Sequence, residues 1–178
     1  MNLANNQTEF KTEGKDFVIT RIYNAPRNLV WKAWTDPDQL AQWFGPTVFS
    51  NRCEIDLKPG GHYKITMVSL DGVDYPMDGT YREIIAPEKL VMTVNCDAHP
   101  QEWHDLVDQN RDTKGTRLPE MIWAITFEET TGKTKLTICL QFTNANDRDA
   151  LLKLGMKDGW AESLDKLDNL LSKISTAA

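Results

Sequence analysis

The sequence predicts an α+β fold in which a curved antiparallel sheet of about seven strands packs around a long C-terminal helix, with two short helices after the first strand. Over most of residues 50–142, apolar side chains alternate with polar ones, as in strands with one buried face. Short turn sequences separate these segments, which favours antiparallel pairing of consecutive strands. The last thirty residues or so contain no proline and repeat apolar side chains at helical spacing.

The composition is that of a single globular domain. The chain has 178 residues, of which 40% are hydrophobic, and we predict one domain over residues 15–176, preceded by residues 1–14 as a flexible lead-in or edge strand. A net charge of -6 argues against nucleic-acid binding, which needs a cationic face. The apolar runs are far shorter than the roughly 20 residues that span a bilayer, so no membrane partner is predicted.

The first residues and the cysteines indicate a cytoplasmic protein. The polar N-terminal segment lacks the basic start and apolar stretch of a secretory signal. Three widely spaced cysteines, Cys53, Cys96 and Cys139, fit free thiols in a reducing compartment better than a disulfide framework. We therefore expect all three thiols to be buried or half-buried.

The elements follow from local signals along the chain. A β-branched run over residues 17–23 predicts the first strand, and Pro26 and Pro37 suit the first turns of the two short helices that follow. Turn sequences then separate the predicted strands. These strands lie at about residues 53–57, 63–67, 73–81, 90–95, 121–127 and 136–142. Residues 97–119 interrupt the alternation with charges, and we interpret them as an inserted loop with room for one helical turn.

The C-terminal segment is predicted to be one continuous amphipathic helix over residues 147–174. Trp160, Leu164, Leu167 and Leu171 form its apolar stripe. Gly155, Gly159 and Ser163 form a row of small residues on the same helix. This row fits two hypotheses equally well, close packing against a large aromatic side chain or a groove beside a cavity.

The concave side of such a sheet is the natural place for a binding site. Its inner face is predicted from the strand alternation, and the two glycines are placed opposite it on the helix. The predicted cavity residues are Tyr63, Ile65, Met67, Tyr75, Met77, Tyr81, Met121, Trp123, Gly155 and Gly159. A cavity lined in this way would take a small apolar or aromatic molecule. The alternative is that these side chains simply fill the core.

Several motifs, in this order and spacing, resemble one family over nearly the whole structured chain. They occupy residues 24–26, 30–37, 40, 43–46, 59–61, 63, 79–84, 87–90, 159–160, 164 and 167. In these segments the chain is similar to the activator of heat shock protein 90 ATPase homologue family, within the START-like, SRPBCC superfamily. The resemblance implies a helix-grip fold around a deep hydrophobic cavity, binding of a small hydrophobic ligand, and no fixed cofactor.

Two other functions remain open. An enzyme of polyketide cyclase or dehydratase type could use the same cavity, with His62, Tyr63 or Tyr81 carrying protons or orienting a carbonyl. A chaperone partner, or self-association, would instead use the surface. No metal site is predicted, because the cysteine and histidines of residues 96–104 match no compact ligand spacing. No nucleotide or dinucleotide motif is present in the sequence.

Overall fold

The computed structural model describes residues 7–177; the first six residues of the predicted lead-in lie outside the description. Within that range the chain forms eight strands and five helices. The strands are β1 (Thr8–Glu13), β2 (Asp16–Tyr23), β3 (Ser50–Ile55), β4 (His62–Val68), β5 (Asp74–Ile85), β6 (Lys89–Val94), β7 (Met121–Thr130) and β8 (Lys133–Gln141). The helices are α1 (Arg27–Thr35), α2 (Pro37–Trp43), α3 (Gln101–Gln109), α4 (Ala145–Lys153) and α5 (Met156–Thr176). None of the described helices is long and apolar enough to span a membrane.

The strands form one open, curved, antiparallel sheet in the order β1-β2-β8-β7-β6-β5-β4-β3. Strands β3 to β8 follow one another as neighbours because short turns join most of them, as the turn sequences predicted. The last strand, β8, pairs with β2 and so brings the two ends of the domain together. The predicted α+β fold is therefore confirmed. The eighth strand is β1, which pairs with β2 at the edge of the sheet.

The two short helices begin where the prolines predicted. Asp36 caps α2, because its Oδ1 accepts hydrogen bonds from the backbone N–H groups of Asp38 and Gln39, both at 3.0 Å. The indole of Trp43, which is fully buried, donates a 2.8 Å hydrogen bond to the carbonyl oxygen of Ala33. This bond ties α2 to α1, and Phe44, directly after α2, packs on Trp160 of the C-terminal helix.

The C-terminal helix α5 packs on the sheet through its predicted apolar stripe. Leu164 and Leu167 are fully buried, and Trp160 and Leu171 are nearly so. The hydroxyl of Tyr23 on β2 donates a 3.2 Å hydrogen bond to the carbonyl oxygen of Leu164. The helix and the first strands of the domain are thus held together by apolar burial and by a buried polar contact.

The prediction of one helix over residues 147–174 is wrong. The segment forms two helices, α4 and α5, which meet at Gly155. Gly155 has φ +92°, a left-handed conformation that glycine adopts without the steric penalty of a Cβ atom. The break ends α4 before α5 begins. The predicted apolar stripe from Trp160 onward lies entirely on α5.

The prediction that residues 97–119 form a loop with room for one helical turn is wrong for residues 101–109. The segment contains the nine-residue helix α3, which buries His104 and Val107. After it, the guanidinium of Arg111 donates hydrogen bonds to Asp147 Oδ1 on α4 at 2.7 Å and to the carbonyl oxygen of Thr116 at 2.7 Å. The buried apolar face of α3 is short, so the charges dominate the local pattern. A buried ion pair fixes this segment to α4, so its position could not be predicted from the periodicity of its side chains.

Candidate ligand-binding cavity

A cavity of about 400 Å³ lies between the sheet and the C-terminal helices. Its wall is built from β4, β5, β7 and β8, from α3, α4 and α5, and from the loop after α2. The described lining residues are Phe44, Gly45, Pro46, Phe49, Met67, Tyr75, Met77, Cys96, His99, Trp103, Met121, Trp123, Leu140, Leu151, Leu154, Gly155, Met156, Gly159, Trp160 and Ser163. Thirteen of them carry large apolar or aromatic side chains. Among these described lining residues, none has an acidic side chain and none is a lysine or arginine.

Seven of the ten residues predicted from the sequence line this cavity. They are Met67, Tyr75, Met77, Met121, Trp123, Gly155 and Gly159. The strand pairing explains why the residues on β4 and β5 lie together, because Met67 is directly opposite Tyr75 and Ile65 is directly opposite Met77. Met121 and Trp123 extend the same inner face onto β7.

The other three predicted residues, Tyr63, Ile65 and Tyr81, pack in the core and do not line the cavity. The hydroxyl of Tyr63 donates a 2.6 Å hydrogen bond to the carbonyl oxygen of Thr93, and the rings of Tyr63 and Tyr81 lie 5.5 Å apart. Alternation correctly places all three on the inner face of the sheet. Other side chains cover the part of that face where they lie, so they are buried in the core. Burial raises the pKa of both tyrosines well above the ordinary range, which keeps their hydroxyls protonated.

His62, the third residue considered for proton transfer, is exposed on β4 and does not line the cavity. The three side chains proposed for cyclase chemistry therefore lie outside the apolar cavity. Within the described residues, no group of three or more histidine, cysteine or acidic side chains could hold a metal ion. The thiol of Cys96 does line the cavity, and burial raises its pKa to about 12.

The row of small residues on the C-terminal helix borders open space. A Cβ atom added at Gly159 would contact only Pro46 Cγ, at 3.7 Å, and one added at Gly155 would contact nothing within 4 Å. The hydroxyl of Ser163 donates a 2.8 Å hydrogen bond to the carbonyl oxygen of Gly159. No side chain therefore extends towards the cavity at these two glycines, although Met156, Trp160 and Ser163 of the same helix line it. This agrees with the groove hypothesis for the glycines.

Aromatic side chains from three separate elements form the wall near Gly159, and Trp34 on α1 packs on Trp160 without lining the cavity. The ring of Trp160 lies 5.1 Å from that of Trp123, 5.9 Å from that of Phe44 and 6.3 Å from that of Trp34. Edge and stacked contacts of this kind are favourable beyond simple burial and hold the rings in fixed orientations. The apolar stripe predicted from the sequence includes Trp160, but neither Trp160 nor Phe44 was predicted to line the cavity.

His99 and Trp103 are lining residues that the sequence did not identify, because they come from the segment predicted as a loop. The two rings lie 4.4 Å apart, and Tyr75 packs on His99 at 5.6 Å. His99 Nδ1 lies 2.8 Å from the carbonyl oxygen of Pro76, which can only accept a hydrogen bond. His99 is 8% exposed, and burial lowers its pKa to about 4. The imidazole is thus neutral at pH 7, with its proton on Nδ1.

The buried neutral state of His99 predicts that stability depends on pH. In the unfolded chain this side chain takes up a proton below about pH 6.5, whereas in the folded chain it resists protonation until about pH 4. The folded state therefore loses stability as the pH falls through this interval. Between pH 7 and pH 5, we expect His99 to account for a loss of about 2 kcal/mol in the free energy of unfolding.

Urea unfolding of the wild type and of His99→Phe at several pH values would measure this term. The variant keeps an aromatic ring but loses the hydrogen bond to Pro76, a loss that does not vary with pH. The free energy of unfolding of the wild type minus that of the variant should therefore fall as the pH goes from 7 to 5. A difference that stays constant would show that His99 does not titrate in this way.

Known proteins give independent evidence on the fold and the family. The family model described as activator of Hsp90 ATPase homolog 1-like protein matches residues 24–172. None of the curated proteins compared with the chain matches it.

Solved bacterial structures resemble more than nine-tenths of the chain. Protein NE0264 from Nitrosomonas europaea is 24% identical, with a TM-score of 0.75 over 93% of this chain and 99% of that one. A protein from Arthrobacter aurescens is 22% identical, with a TM-score of 0.76 over 93% and 91%. Protein Ms6760 from Mycobacterium smegmatis is 20% identical, with a TM-score of 0.73 over 95% and 98%. At this identity the likeness shows the helix-grip fold alone. The family match covers most of the chain, and the chain belongs to the activator of Hsp90 ATPase homolog 1-like protein family.

Proposed function

We propose that this protein binds a small, neutral, apolar or aromatic molecule in the cavity between the sheet and α5. The observation that carries the proposal is a 400 Å³ space whose described walls are almost entirely apolar or aromatic. Small-molecule sites typically measure about 300 to 1,000 Å³ and are lined in this way, with a few polar groups that orient the ligand.

The chemistry of the wall favours a neutral ligand. A charged group would lose its hydration on entering the cavity and would meet no oppositely charged side chain among the described lining residues. Aromatic rings from Phe44, Trp123 and Trp160 offer flat surfaces on which another ring can stack. Flexible methionines, Met67, Met77 and Met121, can adjust to the shape of an apolar molecule.

A neutral fluorescent probe tests the proposal. N-phenyl-1-naphthylamine should bind the native protein at one saturable site with an increase in fluorescence, because the cavity removes its rings from water. We expect Gly159→Leu to weaken this binding at least tenfold, since the new side chain would extend into the space that Gly159 leaves open.

Gly159→Ala is the matched control. Its single methyl group meets only Pro46 at ordinary van der Waals distance, so the affinity for the probe should stay within about twofold of the wild type. Alanine should also stabilise α5 by up to about 1 kcal/mol relative to glycine. If wild type and Gly159→Leu bound the probe equally well, or if binding did not saturate, the cavity would not be the binding site.

A further inference from the structure

We propose that the cavity selects ligands that carry a neutral hydrogen-bond donor, such as a phenol or an alcohol, which pairs with Nε2 of His99. This inference rests on the proposed function and goes beyond it, because it assigns one polar group of the ligand and its partner on the wall. It follows from the state of the His99 ring, which the contact with Pro76 determines.

The contact with Pro76 fixes the tautomer. A carbonyl oxygen cannot donate, so the 2.8 Å contact requires the proton to be on His99 Nδ1. In the neutral imidazole the other nitrogen, Nε2, then holds a lone pair and can only accept. Among the described residues, no side chain or backbone group forms a hydrogen bond with Nε2. Nε2 is also not one of the side-chain atoms that are fully buried without a partner, so it is accessible, and a ligand in the cavity that His99 lines can supply the donor.

The position of the ring makes this acceptor a fixed feature of the wall. His99 is packed between Trp103 and Tyr75 and is also held by the hydrogen bond to Pro76. A preformed acceptor needs no reordering when the ligand binds, so its hydrogen bond contributes to affinity and specificity.

The other polar side chains of the wall are weaker or less selective partners for a donor. The hydroxyl of Ser163 donates to the carbonyl oxygen of Gly159, so towards a ligand it can only accept, but a hydroxyl oxygen is a weaker acceptor than an imidazole nitrogen. The hydroxyl of Tyr75 can donate as well as accept, so it suits either kind of ligand group. A cationic donor such as an ammonium is disfavoured by the neutral wall. A hydroxyl on an otherwise apolar body is the chemistry that remains.

A pair of matched probes tests this inference by calorimetric titration at pH 7.5. The probe 2-naphthol carries the donor, whereas 2-methoxynaphthalene has the same rings but no donor. The additional methyl group of the ether favours its own burial, so a preference for naphthol must come from the hydroxyl. We expect the wild type to bind naphthol at least fivefold more tightly than the ether.

Two variants locate the partner of the hydroxyl. In His99→Phe the preference for naphthol should fall to one or less, because the aromatic packing remains but the acceptor is gone. In Tyr75→Phe, the matched control, the preference should stay within twofold of the wild type. A preference that survives His99→Phe, or that disappears in Tyr75→Phe, would overturn the assignment to His99.

A spectroscopic measurement on the wild type keeps the test independent of the variants. The ¹⁵N resonance of His99 Nε2 should shift when naphthol is added and stay in place when the ether is added. If both probes bound with equal affinity and left this resonance unchanged, the selection of a donor would be wrong and the proposed function would stand. If neither probe nor N-phenyl-1-naphthylamine bound, the proposed function itself would fall.

Discussion

Replacing Trp160 by alanine is expected to lower the free energy of unfolding by about 3 to 5 kcal/mol, the range typical of a buried tryptophan. Trp160 is 7% exposed and lies where α5, the loop after α2 and strand β7 meet. The substitution removes apolar burial and three ring contacts together. The neighbouring rings of Trp34, Trp123 and Phe44 are held by close packing, so they cannot move to fill the cavity that is left. Urea unfolding followed by far-UV circular dichroism would measure the loss.

Trp31→Ala provides a matched comparison, because it removes the same side chain from a different position. Trp31 lies on α1, is only half-buried, and contacts Phe127 at 5.2 Å. Its loss should therefore cost clearly less than that of Trp160. If Trp160→Ala lowered the free energy of unfolding by less than about 1 kcal/mol, Trp160 could not be part of the core that joins the helix to the sheet.

The second large effect is expected at the buried ion pair between Arg111 and Asp147. Both side chains are 3% exposed, and Arg111 Nε donates to Asp147 Oδ1 at 2.7 Å. Asp147→Ala would leave the Arg111 guanidinium buried, with Asp108, at 3.2 Å, as its remaining acidic partner among the described residues. Breaking a buried pair from one side typically costs about 3 to 5 kcal/mol, and because Asp108 remains we expect a loss near about 3 kcal/mol.

Two controls separate the charge effect from the general cost of substitution. Asp74→Ala breaks an ion pair with Arg52 whose partners are 62% and 48% exposed, and it should cost no more than about 1 kcal/mol. The double variant Arg111→Met with Asp147→Leu should recover most of the stability lost in Asp147→Ala, since it leaves no fully buried charge without a partner. Asp108 loses its contact with Arg111 but is 27% exposed and still accepts a hydrogen bond from the backbone N–H of Gly115. Urea unfolding of all three variants gives the comparison. An equal loss in the single and double variants would show that the uncompensated charge is not the cause.

The ion pair between Arg111 and Asp147 also affects the cavity. Arg111 follows α3 and Asp147 belongs to α4, so the ion pair links two helices that contribute Trp103 and Leu151 to the wall. The loss of Asp147 should therefore also weaken binding of N-phenyl-1-naphthylamine. Asp74→Ala should leave that binding unchanged, because Asp74 and Arg52 are not among the lining residues.

Local sequence patterns were enough to predict the positions of strands β2 to β8 along the chain and the antiparallel character of the sheet. Alternation in β4, β5, β7 and β8 and the turns between strands depend on neighbours two to four residues apart, so they can be recognised without any tertiary information. The inward orientation of Met67, Tyr75 and Trp123 follows from the same alternation. The apolar stripe of α5 was equally visible, because its spacing matches the helical repeat.

The part of the inner face that stays uncovered depends on contacts between distant residues, which local patterns do not contain. Tyr63 and Met67 follow the same alternation on β4, yet one is buried under other side chains and the other lines the cavity. That difference depends on how far α5 and the loop after α2 reach across the sheet, which is a property of distant parts of the chain. The break at Gly155 could not be predicted from the local pattern either. Helical periodicity continues through this residue, and its left-handed conformation separates α4 from α5.

The position of the segment with His99 and Trp103 is the feature that depends most on tertiary structure. Its local pattern is dominated by charges, and what holds it in place is the ion pair with Asp147, 36 positions further along the chain than Arg111. The tautomer of His99 is likewise set by Pro76, 23 positions away. Periodicity reports which face of an element is buried, whereas hydrogen bonds and ion pairs between distant residues determine which side chains meet across a cavity.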